Sequence, residues 1–248
     1  YGDSAAVFQL VNNGTIRSNL GGVVDDISDP SDIFGSSRPA AAIAFTGNDA
    51  TTLALSNVAG ATIEAIGDLS TAILVTNTVL TLDNAGTIRG GAGTTLADTD
   101  QLALVLGNPY LAGAIQTVGS TADSITNSGT IIGSIDLGFG DDVIVNRGTI
   151  NGDVYLRDGD DSFTQLASAI LQGIVDGGAG TDSFIVDATG GGAINADQFV
   201  NFERFSQIGV GNVSYTGAFS FDTIGLDGGT VTVAAGETLS SASATTIT

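Results

Sequence analysis

Residues 127–163 read NSGTIIGSIDLGFGDDVIVNRGTINGDVYLRDGDDSF, and the second half repeats the first. Gly133, Ile135, Leu137, Gly140, Asp142, Ile144 and Asn146 align with Gly152, Val154, Leu156, Gly159, Asp161, Phe163 and Gln165 at a constant offset of 19 residues. A short fixed period is the mark of a solenoid, whose turns stack because no single turn can bury its own apolar side.

The phrase that opens this stretch recurs as Asn12-Asn13-Gly14-Thr15-Ile16, Asn84-Ala85-Gly86-Thr87-Ile88 and Asn146-Arg147-Gly148-Thr149-Ile150, with a looser copy from Asn57 to Ile63. The glycines lie 72, 43 and 19 residues apart, intervals that fit whole coils of about 20 residues interrupted by insertions. Two stretches break the period and are expected to be loops. One is near residues 19–39, with Asp25, Asp26, Asp29 and Asp32; the other is near 90–119, with Pro109. Within each period the apolar residues alternate in short runs such as Leu53/Leu55, Ile135/Leu137, Val143/Val145 and Val154/Leu156, each ended by Gly, Asn or Asp. Alternation turns one set of side chains inward and the turn residues permit corners. The reading is therefore all-β: one parallel β-helix over residues 1–248, in coils of 19–21 residues.

Stacking gives each repeated position a meaning. Ile135, Val154 and Val175 are predicted to lie in successive coils, with two extra residues absorbed between Phe163 and Gly173. Asn127 and Asn146 are predicted to stand one above the other at a corner, their amides bonded along the stack. The repeated threonines supply β-propensity. Residues 199–248 keep the strand-and-turn pattern without the phrase, so further coils are expected there, filled by Phe199, Phe202, Phe205, Phe219 and Phe221.

Composition limits function. The chain of 248 residues has 27 acidic residues against six arginines, no lysine, and a formal charge of −21. Nucleic acid and anionic lipid would be repelled. Cysteine and histidine are absent, so neither a Ser-His-Asp nor a Cys-His arrangement can be built, and the missing lysine removes a Ser-Lys pair. No stretch approaches the roughly 18 apolar residues of a membrane-spanning helix. The chain is read either as cytoplasmic or as a processed part of a longer precursor, and a first residue that is Tyr rather than Met favours the precursor.

The run 127–163, with FVNFERFSQIGVGNVSYTG and GGTVTVAAGETL further on, resembles the passenger region of Gram-negative autotransporters. The likeness covers residues 127–240 best. It implies a right-handed parallel β-helix, an extracellular or cell-surface location, and a C-terminal outer-membrane barrel in the precursor. It says little of activity, since such passengers include adhesins, proteases, esterases and self-associating fibres.

The strongest chemical motif is a glycine-aspartate loop. Gly177 to Ile185 fits the calcium nonapeptide G-G-x-G-x-D-x-U-x, and Leu137–Val145 and Leu156–Thr164 fit it from the central glycine onward. Asp142, Asp161 and Asp182 are then in register, with Asp141, Asp158 and Asp160 nearby. Stacked carboxylates and glycine carbonyls could offer Ca²⁺ the six to eight oxygens it takes. Aspartate after glycine is also ordinary turn chemistry, and separate loops depart from the back-to-back repeats of calcium-binding toxins. No cofactor is otherwise required.

Three functions stand on these residues. The first is an adhesive or structural stalk making multivalent contacts with a glycan, a surface or neighbouring copies. The second is a polysaccharide-active enzyme using Asp141/Asp142 or Asp160/Asp161 as acid and base. The third is an extracellular filament or surface-layer subunit joined through open strand edges. Repetition of the acidic pairs at every equivalent corner favours scaffold over catalysis.

Overall fold

The structure, a computed structural model, describes residues 6–18, 41–66, 70–91 and 113–247. The insertion expected near 19–39 lies outside the described residues, as does most of the one near 90–119. The far end of the latter is structured, because Ile115–Val118 forms a strand.

Each coil as far as Asp176 visits three walls. Ser124–Asn127 belongs to a ten-stranded sheet A, Thr130–Ile132 to a six-stranded sheet B and Ile135–Asp136 to a seven-stranded sheet C, after which Val143–Asn146 rejoins sheet A one layer on. Neighbouring strands pair in parallel throughout, as a coil stacked on its own copy requires. The chain is a parallel β-solenoid. Its interior consists of aligned columns, in which Ile63, Ile88, Ile131 and Ile150 follow one another in sheet B, and Ile135, Val154 and Val175 in sheet C. All of these are at most 0% exposed. The two surplus residues fall in the turn at 166–169, since Gln165 pairs with Asn146 while Ile170 pairs with Thr149.

The corner from sheet A to sheet B is held by an amide ladder. Asn12 donates its side-chain N–H to Oδ1 of Asn57, Asn57 to Asn84, Asn84 to Asn127 and Asn127 to Asn146, at 2.8–2.9 Å, and Asn146 donates to Oε1 of Gln165 at 2.9 Å. Each asparagine amide also meets a carbonyl of the next coil; Asn127 reaches Thr149 O at 3.1 Å. An amide both donates and accepts, so one residue type repeated every coil closes the ladder. The glycine two positions on is needed for closeness. A Cβ on Gly129 would stand 2.1 Å from the Gly86 carbonyl oxygen, and one on Gly148 2.2 Å from that of Gly129.

Past Gln172 the cross-section changes. Sheet B ends at Ile170–Gln172 and sheet C at Phe199–Val200, and sheet A continues beside a three-stranded sheet of Gly192–Asn195, Asn212–Thr216 and Thr230–Val233. Rings fill this end: Phe184 stacks on Phe199 at 3.8 Å, and Tyr215 meets Phe205 edge-on at 5.8 Å. The aromatic coils expected from Phe199 onward are present, with two walls in place of three.

Substituting Asn127→Ala would strand the Asn84 amide below it and the Thr149 carbonyl above. Denaturant unfolding is expected to show a loss of about 2–4 kcal/mol. Gly148→Ala should also destabilise, whereas Gly14→Ala, with nothing within 4 Å of its Cβ, should cost little; equal effects would contradict the close-approach account.

Candidate functional site

The glycine-aspartate loops form the corner from sheet C back to sheet A, where Phe139, Asp158 and Ala179 bridge in parallel one above another. Gly180 has φ +152, and a Cβ there would stand 1.8 Å from the Gly159 carbonyl oxygen. Adjacent residues of an extended chain point to opposite sides. The double aspartates are therefore split: Asp141 and Asp160 are exposed, while Asp142 and Asp161 are buried.

The inner members make a carboxyl ladder longer than its motif. Oδ1 of Asp123 accepts the Leu80 N–H at 2.7 Å, Asp142 accepts from Asp123 at 2.7 Å, Asp161 from Asp142 at 2.6 Å and Asp182 from Asp161 at 2.8 Å. Glu203 ends the series by accepting the Asp182 N–H at 2.7 Å. The outer members run the opposite way. Asp141 accepts from the N–H of Asp160, and Asp160 from that of Thr181, each at 2.9 Å. Each coil is thus tied to both neighbours by carboxyl groups that satisfy corner backbone.

The inner ladder is electrostatically costly. Asp123, Asp142, Asp161 and Asp182 are 0–1% exposed, and Oδ2 of each is buried without a hydrogen-bond partner. Burial raises all four carboxyls above the ordinary range, partly offset by the N–H each accepts. The nearest acids raise Asp142, Asp161 and Asp182 further. Asp123 is pushed to about 6, Asp161 to about 7 and Asp142 to about 8, the last beside Asp123, Asp161 and Asp141. At neutral pH the ladder carries protons, which lowers the repulsion expected of stacked carboxylates.

This geometry bears on the calcium reading. Asp142, Asp161 and Asp182 stand in single file, each with one oxygen on a backbone N–H. Asp158 and Asp160 lie on the solvent side with Asp141. Among the described residues no group of three or more acidic side chains is placed to hold a metal ion. The donor set fits protons better than a hard cation that takes six to eight oxygens.

Ladder members Asp123 and Glu203 were not legible from the motif, since neither follows a glycine. The period alone would have found them, 19 residues before Asp142 and 21 after Asp182. The arginines serve the surface: Arg17 pairs with Glu64, Arg147 with Asp187 at 3.2 Å and Arg157 with Asp136 at 2.7 Å. Arg157 holds φ +80 where the neighbouring coils use Gly138 and Gly178, and its guanidinium lies 4.9 Å from the Tyr155 ring centre. Comparison with family models, with curated proteins and with solved structures returns no match.

The raised carboxyls bind protons in the folded chain that the unfolded chain, titrating near 3.8, releases. Their contribution is complete below pH 4 and is lost as pH rises through 6–8, with a slope of at most about 1.4 kcal/mol per pH unit for each proton. The melting temperature should therefore be higher at pH 5 than at pH 8. Asp142→Asn, which keeps an acceptor for the Asp123 N–H, should flatten that dependence. Millimolar calcium or a chelator should leave the melting temperature in place; a calcium-dependent rise blunted by Asp161→Ala would instead support the metal reading.

Proposed function

We propose that the chain is a rigid, non-catalytic rod of the autotransporter-passenger kind, displayed outside the cell and acting by multivalent contact with a glycan, a surface or neighbouring copies. The observation that carries this reading is the continuity of the stack. Sheet A runs through ten strands, a length of about 43 Å at the usual inter-strand spacing, with the amide ladder at one end of its first six strands and the carboxyl ladder at the other end of its third to eighth. A body tied together at every layer holds its outward positions at fixed intervals, which repeated weak contacts require.

The enzymatic alternative is weakened by the same ladders. Asp142 and Asp161 are buried and bonded to backbone, so neither can meet a substrate as half of an acid-base pair. Asp141 and Asp160 are exposed, but both accept or donate within the outer ladder.

Beads densely coated with the chain should adhere to polysaccharide- or chain-coated surfaces about 100-fold more tightly than the free chain binds them. A panel of neutral and acidic polysaccharides should show no turnover. Cleavage abolished by Asp141→Ala or Asp160→Ala would overturn the reading in favour of a carboxylate enzyme, and adhesion independent of coating density would overturn multivalency.

A further inference from the structure

The outer surface of sheet A differs from the rest of the chain. Its two central outward rows begin at Gln9 and Val11 in the first strand and reach Thr223 and Gly225 in the ninth. In a chain of net charge −21, these rows hold one acid, Asp83, and one base, Arg204; the rest are mainly Ser, Thr, Ala, Val and Ile. Both charged residues are exposed, and neither makes an ion pair among the described residues. Each lies in a shallow groove of this surface, Asp83 with Ala54, Ser56 and Thr81, and Arg204 with Ser206 and Gly225. The segments 19–40, 67–69 and 92–112 all connect sheet B to sheet C, so none of them interrupts sheet A.

We infer that this surface binds a second copy of the same chain, face to face and antiparallel. The inference rests on the proposed multivalent rod and specifies its partner. Two chains of this charge repel on approach, and the approach is least unfavourable where charge is sparse. Asp83 lies in the third strand of sheet A and Arg204 in the eighth. A twofold axis between Val143–Asn146 and Ser162–Leu166, the fifth and sixth strands, brings Asp83 of each copy to the level of Arg204 of the other. One acid and one base in two rows otherwise free of charge are self-complementary under that axis, as an isologous interface requires. Near the axis lies Val143, 39% exposed, an apolar contact removed from water on pairing. The parallel arrangement would instead set Asp83 against Asp83 and Arg204 against Arg204.

The overlapping area is about 500 Å² on each copy, taking strands about 4.8 Å apart and four residues long. The total, about 1,000 Å², is at the lower limit for a specific interface. Pairing between free chains is accordingly weak, and display of many copies on a surface strengthens it.

Sedimentation of the intact chain over a range of concentrations tests the inference. The wild type should show a reversible monomer–dimer equilibrium. Asp83→Arg and Arg204→Asp should each weaken it by about tenfold or more through like-charge contact, with unchanged circular dichroism. The double swap Asp83→Arg/Arg204→Asp should restore it, because the two charges exchange places across the axis. A chain that stays monomeric at the highest concentration reached overturns the inference, as does a dimer indifferent to the single changes or a double swap that fails to restore pairing. Binding of dextran that is lost in Ser56→Glu and Ser206→Glu, without dimerisation, would assign the surface to a neutral glycan. Those results leave the rod reading standing, which turnover or density-independent adhesion would overturn instead.

Discussion

Everything in this solenoid depends on satisfying the backbone at its corners. Along the flat walls, parallel pairing consumes each N–H and C=O, but at a corner the chain turns and the groups point across the stack. Water cannot reach them inside, so a side chain must. The amide corner solves this with a group that both donates and accepts: Asn127 donates one N–H to Asn146 Oδ1 and the other to the Thr149 carbonyl, while its own oxygen accepts an N–H from Asn84. Nothing is left over, and the ladder runs from Asn12 to Gln165.

The carboxyl corner is less balanced. An ionised carboxylate only accepts, so Asp142 satisfies the Asp123 N–H with one oxygen and retains the other buried and unmatched. Retaining a proton is how such a group lowers its own cost, and burial raises Asp142 and Asp161 in the direction that does so. The outer aspartates have no such difficulty. Asp141 and Asp160 face water and take one N–H each from the next coil. Two adjacent residues of one type thus meet opposite environments, decided by which side of the extended chain each occupies.

That split marks what the sequence disclosed and what it withheld. The period, the wall columns and the Asn127–Asn146 stack were legible, because identical residues at an identical offset leave one way to align the coils. The paired aspartates were legible as a corner but not as two ladders, since a doubled residue gives no sign of which member turns inward until the strand that follows is placed. Asp123 and Glu203 were hidden for another reason: the ladder asks for a carboxyl oxygen at a given height, and Glu203 reaches it with a longer side chain and no glycine before it. The shift from three walls to two was hidden as well. The alternation in residues 199–233 is the same whichever wall a strand joins, and the run of phenylalanines from Phe199 onward pointed to an aromatic filling but not to the number of walls around it.

The distribution of charge follows from the same constraint. Corners need acceptors for stray N–H groups, so acids collect there: Asp141, Asp160 and Asp153 each bind an N–H one coil on. The middle of a wall has no such need, because its backbone is already paired, and a charge there would sit directly over a like charge in the next coil if the repeat were kept. Sheet B relieves one such contact with the Arg17–Glu64 pair and sheet C with Arg157 on Asp136. Sheet A relieves it by leaving charge out of its two central outward rows, apart from Asp83 and Arg204, which lie five layers apart. At that separation, about 24 Å along the stack, they barely interact with each other within one chain at physiological salt, and neither forms an ion pair with another described residue.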